Sequence, residues 1–192
     1  IAETIHHHTY ILANNLKALG YTLANRTFFD TVTIQTTAEE AHKIRVALEA
    51  QETNLFYNGG HVSISVDETT DAQDIVNLLE VLAQIKGASL SMSTDNGQMM
   101  IPARLQRQTP YMTHPIFSSH HTESKMMRYI KSLENKDLSL VHSMIALGSC
   151  TMKLNAATEL IPVTWPEFSL LHPFAPTDQA KGYTQIFAEL NQ

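Results

Sequence analysis

The sequence predicts a mixed α/β fold whose first 87 residues form a compact two-layer unit ordered helix, strand, helix, strand, helix. Three observations carry this. Apolar residues recur at helical spacing in three segments, two of which close on a glycine. Two shorter segments alternate apolar with polar residues. Two Thr-x-x-Glu/Gln pairs stand where helices should start.

From Glu3 to Leu19, Ile5, Leu12, Leu16 and Leu19 share one helical face, and Gly20 follows where a left-handed C-terminal cap is wanted. Phe28 to Ile34 reads as a strand, with Phe28, Val32 and Ile34 on one side and Thr31, Thr33 and Gln35 on the other, interrupted by Asp30. Thr37 and Glu40 have capping-box spacing ahead of Ala41, Ile44, Ala47 and Leu48. Val62, Ile64 and Val66 alternate with Ser63, Ser65 and Asp67, the pattern of a half-buried strand. Thr70 and Gln73 form the second capping pair, in front of a stripe of Ile75, Leu78, Leu79, Leu82 and Ile85 that stops at Gly87.

Periodicity fades between Ala88 and His121, where Asn96-Gly97 and the prolines 102, 110 and 115 predict a linker crossing a surface that the rest of the molecule supplies. Thr122 is placed to cap a helix carrying Met126, Met127, Ile130 and Leu133, and an apolar stretch from Leu138 to Leu147 follows, ending in Gly148. Pro162, Pro166, Pro173 and Pro176 then leave room only for a short regular stretch from Leu154 to Ile161 and a terminal helix from Thr177, with Ala180, Tyr183, Phe187 and Leu190 at helical spacing. The first residue is Ile1, and no helix stop precedes Gln192. A piece cut from something longer is expected.

Composition narrows the function. Hydrophobic residues make up 43% of the 192, charged residues 17%, and the net charge is −6. That balance argues for a folded chain and against nucleic acid as a partner. No apolar run approaches the roughly 20 residues of a membrane span, so membrane anchoring is not expected. A lone cysteine, Cys150, excludes an internal disulfide and suits a reducing compartment.

Three groups of residues carry candidate chemistry. Ten histidines include the run His6-His7-His8 and the pair His120-His121 followed by Glu123. Zinc needs three or four ligands converging at about 2 Å, and neighbours in sequence do not share a helix face. Solvated or capping histidines are therefore expected, with zinc as the alternative that metal analysis decides. The second group is the turn Gly148-Ser149-Cys150-Thr151 before Lys153 and Asn155, whose backbone N–H groups and short polar arms suit a phosphate or carboxylate. It lacks the repeated glycines of nucleotide loops, and taken alone an ordinary turn and cap account for it. The third is Trp165-Pro166-Glu167-Phe168, His172-Pro173-Phe174 and Gly182-Tyr183, which alone reads as packed aromatics and proline turns.

Order and wording together say more. The run from Met144 through Gly148-Ser149-Cys150-Thr151-Met152-Lys153-Leu154-Asn155 to Ala156, then Ile161-Pro162, Trp165 to Phe168, His172 to Phe174, and Gln179 with Gly182-Tyr183, resembles the P-protein family of the glycine cleavage system, the decarboxylating glycine dehydrogenases. Thr113-His114-Pro115, Met126 to Tyr129, Leu133-Glu134, Lys136 to Leu138, Phe29-Asp30-Thr31 and Asp67-Glu68-Thr69-Thr70 are similar to the same family. The likeness runs from near the start of the chain to its end. Ala146 departs from it, standing where the family usually has proline.

The resemblance implies a pyridoxal-phosphate enzyme made of two similar halves of the aminotransferase-like fold (fold type I), of which only the second binds cofactor. Residues 1–87 are then expected to be the small C-terminal α/β domain of the first, non-catalytic half, 88–121 a linker, and 122–192 the incomplete N-terminal segment of the catalytic half. It further implies that the whole enzyme decarboxylates glycine, with pyridoxal phosphate as the electron sink, and passes the aminomethyl group to the lipoyl arm of the H-protein alongside the other glycine cleavage components. A homodimer is expected, in a bacterial cytoplasm or, in a eukaryote, the mitochondrial matrix. In the family the Schiff-base lysine follows a histidine. The only His-Lys here, His42-Lys43, sits on an amphipathic helix without the family's surrounding motif, and Lys153 belongs to the Ser-Cys-Thr-Met-Lys signature. The catalytic lysine is therefore expected beyond Gln192, leaving Ser149, Cys150 and Thr151 as candidate contacts near the cofactor or the glycine carboxylate. The rival reading is a non-catalytic α/β interaction or regulatory module.

Overall fold

The computed structural model describes residues 1–93, 101–137 and 157–192. The chain divides into two compact units, Ile1–Arg107 and Gln108–Gln192. The first contains α1 (Ala2–Ala18), β1 (Thr22–Leu23), β2 (Thr31–Gln35), α2 (Ala38–Glu49), β3 (Phe56–Asn58), β4 (His61–Ser65) and α3 (Ala72–Lys86). The strands form one antiparallel sheet in the order β1-β2-β4-β3, so the unit is mixed α/β.

Pairing of β2 with β4 sets Val32 opposite Ile64 and Ile34 opposite Val62. All four are buried, together with Leu12 and Leu16 of α1, Ile44 and Leu48 of α2, and Leu79 and Leu82 of α3. The three helices thus close one face of the sheet, the inward residues alternating with outward threonines and serines as the pleat requires. Both helices expected to stop at a glycine do so. The N–H of Tyr21 reaches back to Leu16 and that of Ala88 to Ala83, across Gly20 at φ 86° and Gly87 at φ 65°, the Schellman ending that glycine permits at no steric cost.

Several elements differ from expectation. β2 starts at Thr31 instead of Phe28: the Phe29 carbonyl is taken by the His6 ring, and the β2–β4 pairing ends one residue before Thr31 with the Val66 N–H donating to the Asp30 carbonyl. β1 and β3, of two and three residues, are too short for alternation to register. β3 turns into β4 through Gly59 and Gly60, both at positive φ, as a two-residue hairpin demands. The cap of α3 is Asp71, whose side chain takes the Gln73 and Asp74 N–H groups while the Asp74 carboxylate receives that of Asp71. Thr70 is unavailable for that role, since its hydroxyl bonds the Asp67 side chain. Thr37 does cap α2, but its expected partner Glu40 is drawn instead to Lys86 at 2.6 Å. Lys86 also lies 4.4 Å over the ring of Tyr21, whose hydroxyl donates to the Leu82 carbonyl. Burial, and then Glu40, push that phenol well above its ordinary value.

Past Gly87 the chain runs back against α1. The Asn15 side chain exchanges two hydrogen bonds with the Ser93 backbone, at 3.1 and 2.9 Å, and Leu90 and Met92 pack on the core.

The second unit holds α4 (Glu123–Glu134), α5 (Ala157–Leu160), α6 (Pro166–Ser169) and α7 (Lys181–Leu190). Thr122 caps α4 as expected. The terminal helix begins at Lys181, after a 3-10 turn over Thr177–Gln179. The apolar stretch Leu138–Leu147 and residues 154–156 lie outside the described residues. No described residue of this unit is buried; Trp165 is 49% and Phe174 89% exposed.

The two units therefore predict unequal responses to truncation. Leu79→Ala, at a wholly buried site, should lower unfolding free energy by about 2–5 kcal/mol, measured by urea titration. Leu133→Ala on α4, 43% exposed, should lower it by less than about 1 kcal/mol.

Candidate functional site

Ser149, Cys150 and Thr151, with Lys153, lie outside the described residues. Many of the other segments that carried the resemblance are described, and each has a local structural role. His6 is buried, contrary to the expectation of a solvated or capping side chain. Its Nδ1 hydrogen-bonds the Phe29 carbonyl at 2.8 Å and its ring stacks on Phe29 at 5.4 Å and 10°. With a carbonyl as partner, Nδ1 is the donor. His6, Thr9, Ala13 and Leu16 recur at helical spacing and are all buried. That spacing was the available signal, masked by histidine's polar character.

The Asp67-Glu68-Thr69-Thr70 segment forms a tight turn leading into α3. Oδ1 of Asp67 accepts from both the N–H and the hydroxyl of Thr69, at 2.9 and 2.7 Å, and from both of Thr70, each at 3.2 Å. The Thr69 hydroxyl, then its N–H, hold the Asp67 carboxyl below the ordinary carboxylate range. Near this turn a cleft of about 230 Å³ has Leu48, Leu55 and Ile64 in its wall and Gln51, Asp74 and Asn77 among its polar groups. A second cleft, of about 280 Å³, lies between α1 and α3, lined by His7, His8, Ile11, Ile75, Val76 and Met92 among others.

In the second unit two His-Pro segments use the same device. Nδ1 of His114 accepts the Ile116 N–H at 3.2 Å, and Nδ1 of His172 the Phe174 N–H at 3.1 Å, so each imidazole closes its own proline turn. His120 stacks on Tyr129 at 4.2 Å. Rings of Trp165, Phe168, Tyr183 and Phe187 follow one another at 6.3, 6.0 and 6.0 Å, and the Tyr183 hydroxyl donates to the Phe168 carbonyl.

Neither cleft fits pyridoxal phosphate, because no lysine or arginine lines either one. Neither supplies an amine for the cofactor's aldehyde or a guanidinium for its phosphate. Lys43 is exposed and paired with Glu39 at 2.6 Å; the hydrogen bond to that carboxylate raises its pKa, which keeps the amine protonated and poorly nucleophilic. Among the described residues no three His, Cys, Asp or Glu side chains gather as a metal site.

The profile of the family described as "Glycine cleavage system P-protein" matches residues 1–82. The chain is 50% identical over 195 aligned positions, all of its length, to a glycine dehydrogenase (decarboxylating) of Vibrio campbellii, and spans 20% of that protein. A glycine dehydrogenase (decarboxylating) of Deinococcus radiodurans is likewise 50% identical over 192 residues, and one of Bradyrhizobium is 47% identical over 192, each spanned to 20% of its length.

This chain belongs to the P-protein family.

It spans about one fifth, 20%, of the curated P-proteins it matches. The family profile covers α1 through most of α3, so the His6–Phe29 contact and the Asp67 turn both fall in the part that the profile recognises. Among the described residues of this P-protein stretch the geometry frames a fold and assembles no reactive centre.

The Asp67 turn has a pH consequence. A carboxyl whose folded pKa lies below its unfolded value, near 4, adds stability above that value and loses it as pH falls through the folded one. Asp67→Asn should therefore destabilise the chain by under about 1 kcal/mol near neutrality, the scale of exposed charged contacts. The gap from wild type should shrink on acidification, as read from urea unfolding at several pH values.

Proposed function

We propose that this chain is a stretch of a glycine dehydrogenase (decarboxylating), a pyridoxal-phosphate enzyme that releases the carboxylate of glycine as carbon dioxide and hands the aminomethyl group to the lipoyl arm of the H-protein. The observation that carries the reading is 50% identity along the whole chain to proteins of that name. The same identity favours a part of an enzyme over a free-standing interaction module.

In this reading the parent has two fold-type-I halves. Residues 1–87 are the small domain of the non-catalytic half, 88–121 the linker and 122–192 the opening of the catalytic half. The parent works as a homodimer with the other glycine cleavage components, in a bacterial cytoplasm, or in the mitochondrial matrix if eukaryotic. Among the described residues no helix is long and apolar enough to cross a membrane, which agrees with a catalyst that meets a diffusing partner. The cofactor-bearing lysine lies beyond Gln192 in the longer polypeptide. The ion-paired Lys43 and the two clefts without lysine or arginine support that placement. Ser149, Cys150 and Thr151 stand near the cofactor or the glycine carboxylate, where short hydroxyl arms would position an anion.

Two measurements test this. In the full-length enzyme Ser149→Ala or Thr151→Ala should lower glycine-dependent release of carbon dioxide by roughly tenfold or more while melting within a few degrees of wild type. Wild-type kinetics in both variants would remove these residues from the site. The 192-residue chain mixed with pyridoxal phosphate should keep the spectrum of the free aldehyde. A new absorbance, abolished by replacing one lysine, would overturn the placement of the catalytic lysine.

A further inference from the structure

The face of the sheet turned away from the helices is unlike the remaining surface of the first unit. The helices carry charged pairs such as Glu39 with Lys43, Arg45 with Glu49 and Glu40 with Lys86. None of the outward strand positions is Asp, Glu, Lys or Arg. Where two strands meet, the hydroxyls satisfy each other: Thr31 with Ser65 at 2.9 Å and Thr33 with Ser63 at 2.8 Å. The Thr31 hydroxyl also donates to the Asp30 carboxylate at 2.9 Å, which completes that chain. In register with Ser63, on the same face, is Phe56, 65% exposed.

A surface kept in water usually gains from long charged side chains, which lower its tendency to stick and blunt the strands. Short side chains whose polar atoms are already paired have the opposite property: they lose little on being dried, since few donors or acceptors are left unmet. An exposed aromatic among them supplies apolar area to an anchor contact. The one carboxylate bonded to this face, Asp30, stands just ahead of β2 and is held by the Thr31 hydroxyl. The strand positions themselves carry no charge, so the surface matching them is expected to be neutral as well, because a charged one would be desolvated without a counter-charge.

We propose that the Thr31/Thr33/Ser63/Ser65 face, with Phe56 as its anchor, is an intramolecular docking surface, covered by a neutral, small-residue surface of the same longer polypeptide lying outside residues 1–192. The choice of occupant rests on length. P-proteins of which this chain is 20% hold four-fifths of their sequence elsewhere, tethered at high effective concentration to this face. A second copy or a separate protein would have to compete with that tether.

The test uses full-length P-protein carrying Ser65→Cys or, separately, Phe56→Cys, with alkylation by N-ethylmaleimide followed at the peptide by mass spectrometry. Both positions are exposed in the 192-residue chain, where the thiols should react within about threefold of their rates in guanidinium. In the native full-length protein each should react at least about tenfold slower than unfolded, at every protein concentration. Rates near the unfolded value in the full-length protein would overturn the proposal. So would protection lost on dilution, which assigns the face to a second copy, or equal protection in the 192-residue chain, which means that the unit covers itself. None of these readouts depends on catalysis, so the result stands apart from the activity proposed above.

Discussion

The alignment of β2 against β4 governs the first unit. A shift of one residue would turn Val32, Ile34, Val62 and Ile64 outward and drive threonines and serines into the core. Three helices resist that shift together, because the leucines of α1 and α3 and the Ile44–Leu48 pair of α2 all pack into the same cluster as the inward strand residues. That same alignment brings the outward hydroxyls within bonding distance. Core and outer face are two results of one pairing.

Long elements were legible in the sequence and short ones were not. α1 and α3 show stripes of four or more apolar residues and end in glycines whose positive φ is the physical reason for the stop. β1 and β3 are held by neighbours instead of by their own pattern, so periodicity alone has little to read, although Asn58-Gly59-Gly60 was an available hairpin sign. Caps erred by one residue where two polar candidates adjoined: Asp71 won the helix end because Asp67 had already engaged Thr70. His6 was misread through residue type, since a stacked imidazole with one ring nitrogen satisfied is a tolerable core side chain. Family membership was legible through ordered wording across the chain, and the clefts were not, since they arise from distant segments meeting.

The described residues of the second unit show how far local chemistry goes where no side chain is buried. Thr122 caps α4, His114 and His172 close proline turns, and Tyr183 ties back to Phe168. Each of these contacts spans no more than 15 residues, so each can form without a distant partner. Helices of 12 and 10 residues, like α4 and α7, are nevertheless marginal in water by themselves, and among the described residues none of this unit's large apolar side chains reaches burial. Local bonds specify these shapes; apolar contact must sustain them.

One small device at the sheet margin has a consequence for self-association. Beyond the two residues of β1, the outer edge of β2 is met by the Asn25 side chain, whose NH₂ donates to the Thr31 carbonyl at 2.9 Å and whose oxygen receives the Thr33 N–H at 3.0 Å. A carboxamide carries the donor and acceptor of a peptide group, so Asn25 acts as a stopper in place of a neighbouring strand. A stray strand seeking to pair with β2 beyond β1 finds that part of the rim already occupied, and its addition there is opposed by a single side chain.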